Sequence, residues 1–143
     1  MKDLYNNIEI ATIQAPITVT AHTDDEDIDL VNYNSCVIVA TTGANTMDSS
    51  NYMSFRLSHA DDDGTGSAGS YAYCTGDDLL GAGTVTDGVL ATPQINAQGS
   101  QFKVGYVGGK RFLKVELRET GSVSCVIGLH IIKGHGLDVP VIS

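Results

Sequence analysis

Residues 101–136, QFKVGYVGGKRFLKVELRETGSVSCVIGLHIIKGHG, constrain the fold of this chain more than any other stretch. Over residues 110–118 the pattern has a strict period of two. Arg111, Leu113, Val115 and Leu117 fall on one side, and Lys110, Phe112, Lys114, Glu116 and Arg118 on the other. Side chains of an extended strand point alternately to opposite faces, so this pattern predicts a strand with one face buried. Residues 123–132 repeat it with Val123, Cys125, Ile127, Leu129 and Ile131 on one face. Their other face, Ser124, Val126, Gly128, His130 and Ile132, is apolar enough to predict partial cover, and the bare Gly128 admits close approach of another backbone or chain. A third strand over 102–107 runs into Gly108-Gly109, a pair that favours positive φ and a tight hairpin. Glu119-Thr120-Gly121-Ser122 marks a second turn. Three antiparallel strands joined by hairpins are therefore expected at the centre of the fold.

The remaining residues must pack against that centre. At 143 residues the chain fits one domain with a core of its own, and its 42% hydrophobic content excludes disorder by composition. Sixteen glycines, frequent Thr, Val, Ile and Ser, and no long helical period point to an all-β chain. Further short strands are expected at 17–21 after Pro16, around Ile28 and Leu30, over 35–41 as a central buried strand, and over 52–59. In the last of these Met53, Phe55, Leu57 and His59 share a face. Residues 71–74 suggest another short strand, 77–81 a helical turn or bend, 81–98 loops with one or two short strands, and 134–143 a tail or terminal edge strand. Residues 1–15 admit two readings, an edge strand of the sheet or an arm reaching a neighbouring subunit, and 16–143 form the domain proper. An antiparallel β-sandwich with a jelly-roll-like course is the expected architecture.

Charge and motifs narrow the function. Seventeen acidic against eight basic residues give a net charge of −9, a poor balance for binding nucleic acid, whose affinity comes largely from neutralising phosphates. No apolar stretch approaches the ~20 residues that span a bilayer, and the N-terminus has no apolar signal core, so a soluble protein made in the cytoplasm is expected. Cys36, Cys74 and Cys125 are odd in number and form no CxxC, which suggests buried free thiols. There is no GxSxG, no HExxH and no phosphate-binding glycine loop, so no catalytic residues and no cofactor are expected. Two acidic stretches raise a calcium reading. In the first, Asp24 to Asp27, no turn glycine follows the acids. In the second, Asp61-Asp62-Asp63-Gly64-Thr65-Gly66, the twelfth loop position is Ala72 where a bidentate Glu is needed. Solvated turns are favoured for both, and no metal is expected. His59, at a strand end beside Asp61, reads as a histidine hydrogen-bonded at a rim.

The stretch KVGYVGGKRFLKV, from Lys103 to Val115, followed by a glycine turn and an apolar strand ending in Gly134-His135, resembles the C-terminal half of small tailed-phage virion proteins encoded beside the major capsid protein. The middle of the chain is similar in outline, with the 53–59 strand, the Asp62-Asp63-Gly64 loop and Asp77-Asp78-Leu79-Leu80-Gly81. The likeness spans about residues 50–142. It departs at Gly136, where those proteins tend to have proline, and in the long Gly/Ser-rich loop at 61–76. The resemblance implies a head decoration or cement protein on the outside of the capsid, with the major capsid protein as partner and a homo-oligomer, by analogy a trimer. A head–tail completion or head-spike protein is the rival within the virion. A calcium- or carbohydrate-binding β-sandwich, motivated by the acidic loops and by Tyr71 and Tyr73, is the rival outside it.

Two groups of residues are expected to make contacts. Leu4, Tyr5 and Ile8 belong to the N-terminal stretch. Lys110, Phe112, Lys114 and Arg118 share one strand face and lie in a segment that, with Lys103 and Arg111, holds most of the chain's basic residues. The sharper of two readings makes this ribbon a partner for an acidic surface on the shell or another copy, with Phe112 as its apolar anchor. The other makes it ordinary solvated surface.

Overall fold

Two antiparallel sheets pack face to face, and eight of their strands trace a jelly roll. The structure is a computed structural model describing residues 4–23 and 26–136, with the side chain of Glu26 left out. Its strands are β1 (Ile8–Val19), β2 (Glu26–Asp29), β3 (Tyr33–Asn45), β4 (Tyr52–Ala60), β5 (Ala72–Tyr73), β6 (Leu79–Leu80), β7 (Val85–Thr86), β8 (Val89–Ile95), β9 (Gln101–Tyr106), β10 (Phe112–Thr120) and β11 (Cys125–Gly136). A 3-10 turn, Gly76–Asp78, precedes β6. One sheet has the order β1-β11-β3-β9-β6, and the other β2-β10-β4-β8-β7 with β5 added beside β4. The long strands pair first with last: β1 with β11, β2 with β10, β3 with β9, and β4 with β8. That is one long antiparallel ribbon rolled up so that successive strand pairs fall in alternate sheets, which is the jelly-roll course.

This topology corrects the expected hairpins. The alternation over 102–132 is real, but β9 and β11 belong to the five-stranded sheet while β10 belongs to the other. Neither Gly108-Gly109 nor the turn around Gly121 closes a hairpin; each carries the chain across the sandwich. Of the glycine pair only Gly109 has positive φ, at 73°, whereas both tight two-residue turns need positive φ at the first position. The hairpin that does form by such a turn is β7–β8, where Asp87 (φ 49°) and Gly88 (φ 76°) are both left-handed.

Burial follows the pattern. Val104 and Tyr106 of β9, Leu113, Val115 and Leu117 of β10, and Cys125, Ile127, Leu129 and Ile131 of β11 are each at most 1% exposed and face one another between the sheets. Met53, Phe55 and Leu57 of β4 and Ile38 and Ala40 of β3 complete the core at 0%. Fully burying a side chain of this kind is worth roughly 1.5–3 kcal/mol, so this interlayer holds the fold. β3 sits centrally in its sheet, but only its inner face is buried; Val37 and Val39 remain half-buried on the outer face.

β1 is the edge strand of the five-stranded sheet and runs through residue 16 without a break. Its pairing with β11 shifts register between Thr12 and Gln14 and again between Gln14 and Ile17. Such bulges, with a proline that lacks a donor, blunt a sheet edge against uncontrolled pairing. Pro16 also explains Gly128: a Cβ there would lie 3.1 Å from the Pro16 ring, so the close approach admitted by the bare glycine is made by β1. Residues 1–3, Asp24 and Asp25 of the acidic turn, and the 137–143 part of the expected tail strand lie outside the described residues.

Candidate functional site

The residues expected to make contacts divide between the two layers. Leu4 and Tyr5 are 59% and 89% exposed in the turn that leads into β1, and the half-buried Ile8 opens β1 opposite Gly134. Lys110, Phe112, Lys114 and Arg118 belong to the other sheet or its entry. The two groups therefore form no single patch.

The basic ribbon is already paired within the chain. Lys110 Nζ is 3.0 Å from Asp61, Lys114 Nζ is 3.6 Å from Asp27, and Arg118 donates to Glu116 at 2.8 Å. Arg111 forks onto both carboxylate oxygens of Asp29 at 2.8 and 2.9 Å and also meets Asp62. That fork holds the Asp29 carboxyl below its usual range. Phe112 is only 7% exposed, and the Arg111 guanidinium lies 4.8 Å from its ring centroid. The expectation of an accessible apolar anchor at Phe112 is thus corrected. Alternation put its side chain on the outer face, but Asp29 on β2 and Ala60 on β4 flank it and Arg111 covers it.

Next to this ribbon, Arg56, Ser58, Tyr71, Ala72, Tyr73, Lys114 and Glu116 line an open groove of about 500 Å³. Arg56 lies 4.3 Å over the Tyr73 ring, and Lys114 lies 4.6 Å over Tyr71. Tyr71 donates to Asp27 at 2.9 Å. The groove combines aromatic and charged groups, but one face of each tyrosine is already taken by a cation.

The acidic loop satisfies itself. Asp62 accepts the amides of Gly64 and Gly66 at 2.7 and 3.0 Å, and Asp63 accepts the amide and hydroxyl of Thr65 at 2.7 and 2.6 Å. These bonds lower both carboxyl pKa values and engage one oxygen of each on the loop itself, while the other oxygen of Asp62 meets Arg111. They do not converge as a calcium loop requires.

The outer face of the five-stranded sheet differs in kind. One row crosses the whole sheet in register: Ile10 opposite Ile132, Ile132 opposite Val37, Val37 opposite Gly105, and Gly105 opposite Leu80. Ile10 and Leu80 are 63% and 60% exposed. The missing side chain at Gly105 leaves room for Leu80, whose Cβ would be 3.1 Å from a Cβ placed there. The next row is Thr12, His130, Val39 and Lys103. Among the described residues paired on this face, Lys103 is the one formally charged side chain. Sequence reading missed the face because its members come from five separate strands; only the half-apolar outer side of residues 123–132 hinted at it.

A buried polar corner lies where β4, β9 and the 3-10 turn meet. The donor atoms of His59, Cys74 and Asp78 all lie within 4.8 Å of one another. His59 is 6% exposed, so it is an interior residue and not the rim histidine that its place at a strand end suggested. Its Nδ1 is 2.9 Å from the Tyr106 hydroxyl, which also accepts the Lys110 amide at 3.1 Å. Asp78 Oδ2 accepts the Thr75 amide and hydroxyl at 2.8 and 2.9 Å. Burial pushes the Cys74 thiol up to about 12 and lowers the His59 pKa. The free thiol is therefore protonated at neutral pH and a poor nucleophile. Cys36, Cys74 and Cys125 are all free and buried, as their odd count suggested. No protein-family model matches the sequence, and no curated protein is significantly similar to it.

Proposed function

We propose that this chain is a non-catalytic virion protein, a decoration protein of a tailed-phage head, which assembles through the outer face of its five-stranded sheet. The reading combines the resemblance over residues 50–142 with one observation: the apolar row Ile10–Ile132–Val37–Gly105–Leu80 on a nearly uncharged face. A chain of net charge −9 repels its own copies at most surfaces, so an uncharged apolar face is where two copies can meet at least electrostatic cost. Obligate subunit contacts are also the more apolar class of interface. Leu4 and Tyr5 are exposed in the turn that leads into β1, the strand at the edge of this face. In this reading the neighbouring copies form a closed ring, by analogy a trimer, and the acidic remainder faces the shell and solvent. The jelly-roll course fits the reading, though a fold is shared by many functions.

Sedimentation of wild type and of Val37→Asp tests the contact. Wild type should run as an oligomer and the variant as a folded monomer; a monomeric wild type at micromolar concentration would remove the proposed interface. Quantitative mass spectrometry of purified heads tests the role, with hundreds of copies per particle expected for decoration. A handful would indicate a head–tail completion or spike protein instead.

The groove carrying Tyr71 and Tyr73 favours a second reading, a carbohydrate-binding sandwich. A glycan array that lights up for wild type and goes dark for Tyr73→Ala would support it over the first.

A further inference from the structure

We propose that His59, Cys74 and Asp78 form a binding site for a divalent transition metal, with zinc the best fit, at the corner where β4, β9 and the 3-10 turn meet. The inference is independent of the virion reading. Three different donor types, an imidazole nitrogen, a thiol sulfur and a carboxylate oxygen, lie within 4.8 Å of one another. Zinc bond lengths of about 2.0–2.3 Å place tetrahedral donors roughly 3.3–3.6 Å apart. Uptake therefore draws the three inward by up to about 1 Å, within reach of small side-chain rotations. The three residues come from distinct places, the end of β4, the residue after β5, and the 3-10 turn. Cys74 is also tied to β4 through its amide, which donates to Leu57 O at 3.0 Å.

The surroundings hold the donors as outer partners do in metal sites. The Tyr106 hydroxyl steadies the His59 ring, and Thr75 grips one oxygen of Asp78 twice and leaves the other oxygen to turn inward. Gly108 keeps this corner open: a Cβ there would lie 2.8 Å from the Tyr106 hydroxyl and 2.9 Å from Asp78 Oδ1. Charge balances as well. On uptake the ion displaces the Cys74 thiol proton, which leaves to solvent, and the resulting thiolate with a carboxylate and a neutral imidazole neutralises the dication, while the nearby Lys110 is matched by Asp61 at 3.0 Å. The sulfur ligand selects a soft or borderline ion and rejects calcium and magnesium, in contrast to the acidic loops. With three protein donors, a fourth position is left for water. The bound ion would pin the long connection between β4 and β6 to the body of the sandwich.

Cobalt(II) is the probe, added to the chelator-treated, reduced full-length protein. The expected result is a thiolate-to-cobalt charge-transfer band saturating at one ion per chain and abolished by one equivalent of zinc. Cys74→Ala should lose the band, whereas Cys36→Ala and Cys125→Ala should keep it. Tyr106→Phe should weaken cobalt binding by about 10–100-fold, as loss of an outer partner does elsewhere. Circular dichroism checks that each variant keeps its strands, and His59→Gln serves if Cys74→Ala fails to fold. Absence of the band in wild type at saturating cobalt, or its persistence in both Cys74→Ala and His59→Gln, overturns the proposal.

Discussion

Phe112 and Asp29 show how a single residue's role depends on what lies across the strand. Phe112 sits on the outer face but is sealed by Arg111 and by neighbours on both flanking strands. Phe112→Ala should therefore act on stability, costing about 3 kcal/mol in urea unfolding, the low end for truncating a buried aromatic. Assembly of the variant, measured below its unfolding range, should match wild type. Asp29 provides a pH signature. Its carboxyl is held below the ordinary 3.8, mainly by the Arg111 hydrogen bonds, so the folded state binds its proton less readily than the unfolded state. The resulting stabilisation is complete above about pH 4 and is lost as pH falls through the lowered folded value. Asp29→Asn should be less stable than wild type at neutral pH and should show a flatter acid limb in a series of melts between pH 6 and about 2. Parallel curves would show that the pair is too solvated to matter.

At the scale of elements, the β7–β8 hairpin is closed by a short local signal that the alternation of apolar residues does not register. Asp87-Gly88 supplies two left-handed residues, and the Gly88 carbonyl accepts the Leu57 amide at 2.9 Å, tying the turn to β4. A Cβ on Gly88 would come 2.5 Å from Leu57 O, an impossible separation, so β4 or the turn must move. Gly88→Ala should cost at least about 2 kcal/mol, within the 1–3 kcal/mol range for a strained left-handed residue, and chemical denaturation would measure it. Asp87→Asn should cost little, since asparagine tolerates the same backbone. β1 presents the opposite case. Its alternation is weak, its register shifts twice, and it holds its place through pairing with β11 and through the Pro16–Gly128 contact.

For the whole molecule, the two outer faces divide the labour. The β10 side carries cations that are matched to acids of the same chain, so it has little net attraction left for a partner. The β11 side is apolar and nearly uncharged, while the chain as a whole carries −9. Self-association through that face must work against general repulsion and gains nothing from charge pairing. Raising salt from about 0.05 to 0.5 M should therefore strengthen the oligomer, because the Debye length shrinks well below the size of the subunit. A dissociation constant that rises with salt in analytical ultracentrifugation would instead place the contact on the charged side.

The sequence by itself determined which face of most long strands turns to the core. Period two over residues 113–118 and 123–132 sorted inner from outer residues, as it did for Met53, Phe55, Leu57 and His59 on β4, but it failed at the start of β10, where Phe112 is buried beneath Arg111. Composition and turn glycines were enough for a two-sheet, all-β domain. What only the tertiary structure decided is which strands are neighbours. A strand with one buried face can satisfy it beside its sequence neighbour or across the sandwich from it. Both arrangements bury the same residues, so alternation cannot distinguish a hairpin from a crossover between sheets. The Gly108-Gly109 connection turned on a single backbone angle, Gly108 lacking the positive φ that a tight turn needs. The apolar row on the five-stranded sheet and the His59–Cys74–Asp78 corner were hidden for the same reason. The members of the row are separated by tens of residues and meet only because the rolled ribbon pairs distant strands, while Cys74 and Asp78 reach His59 through the pairing of β5 with β4, a geometry that no motif spacing encodes.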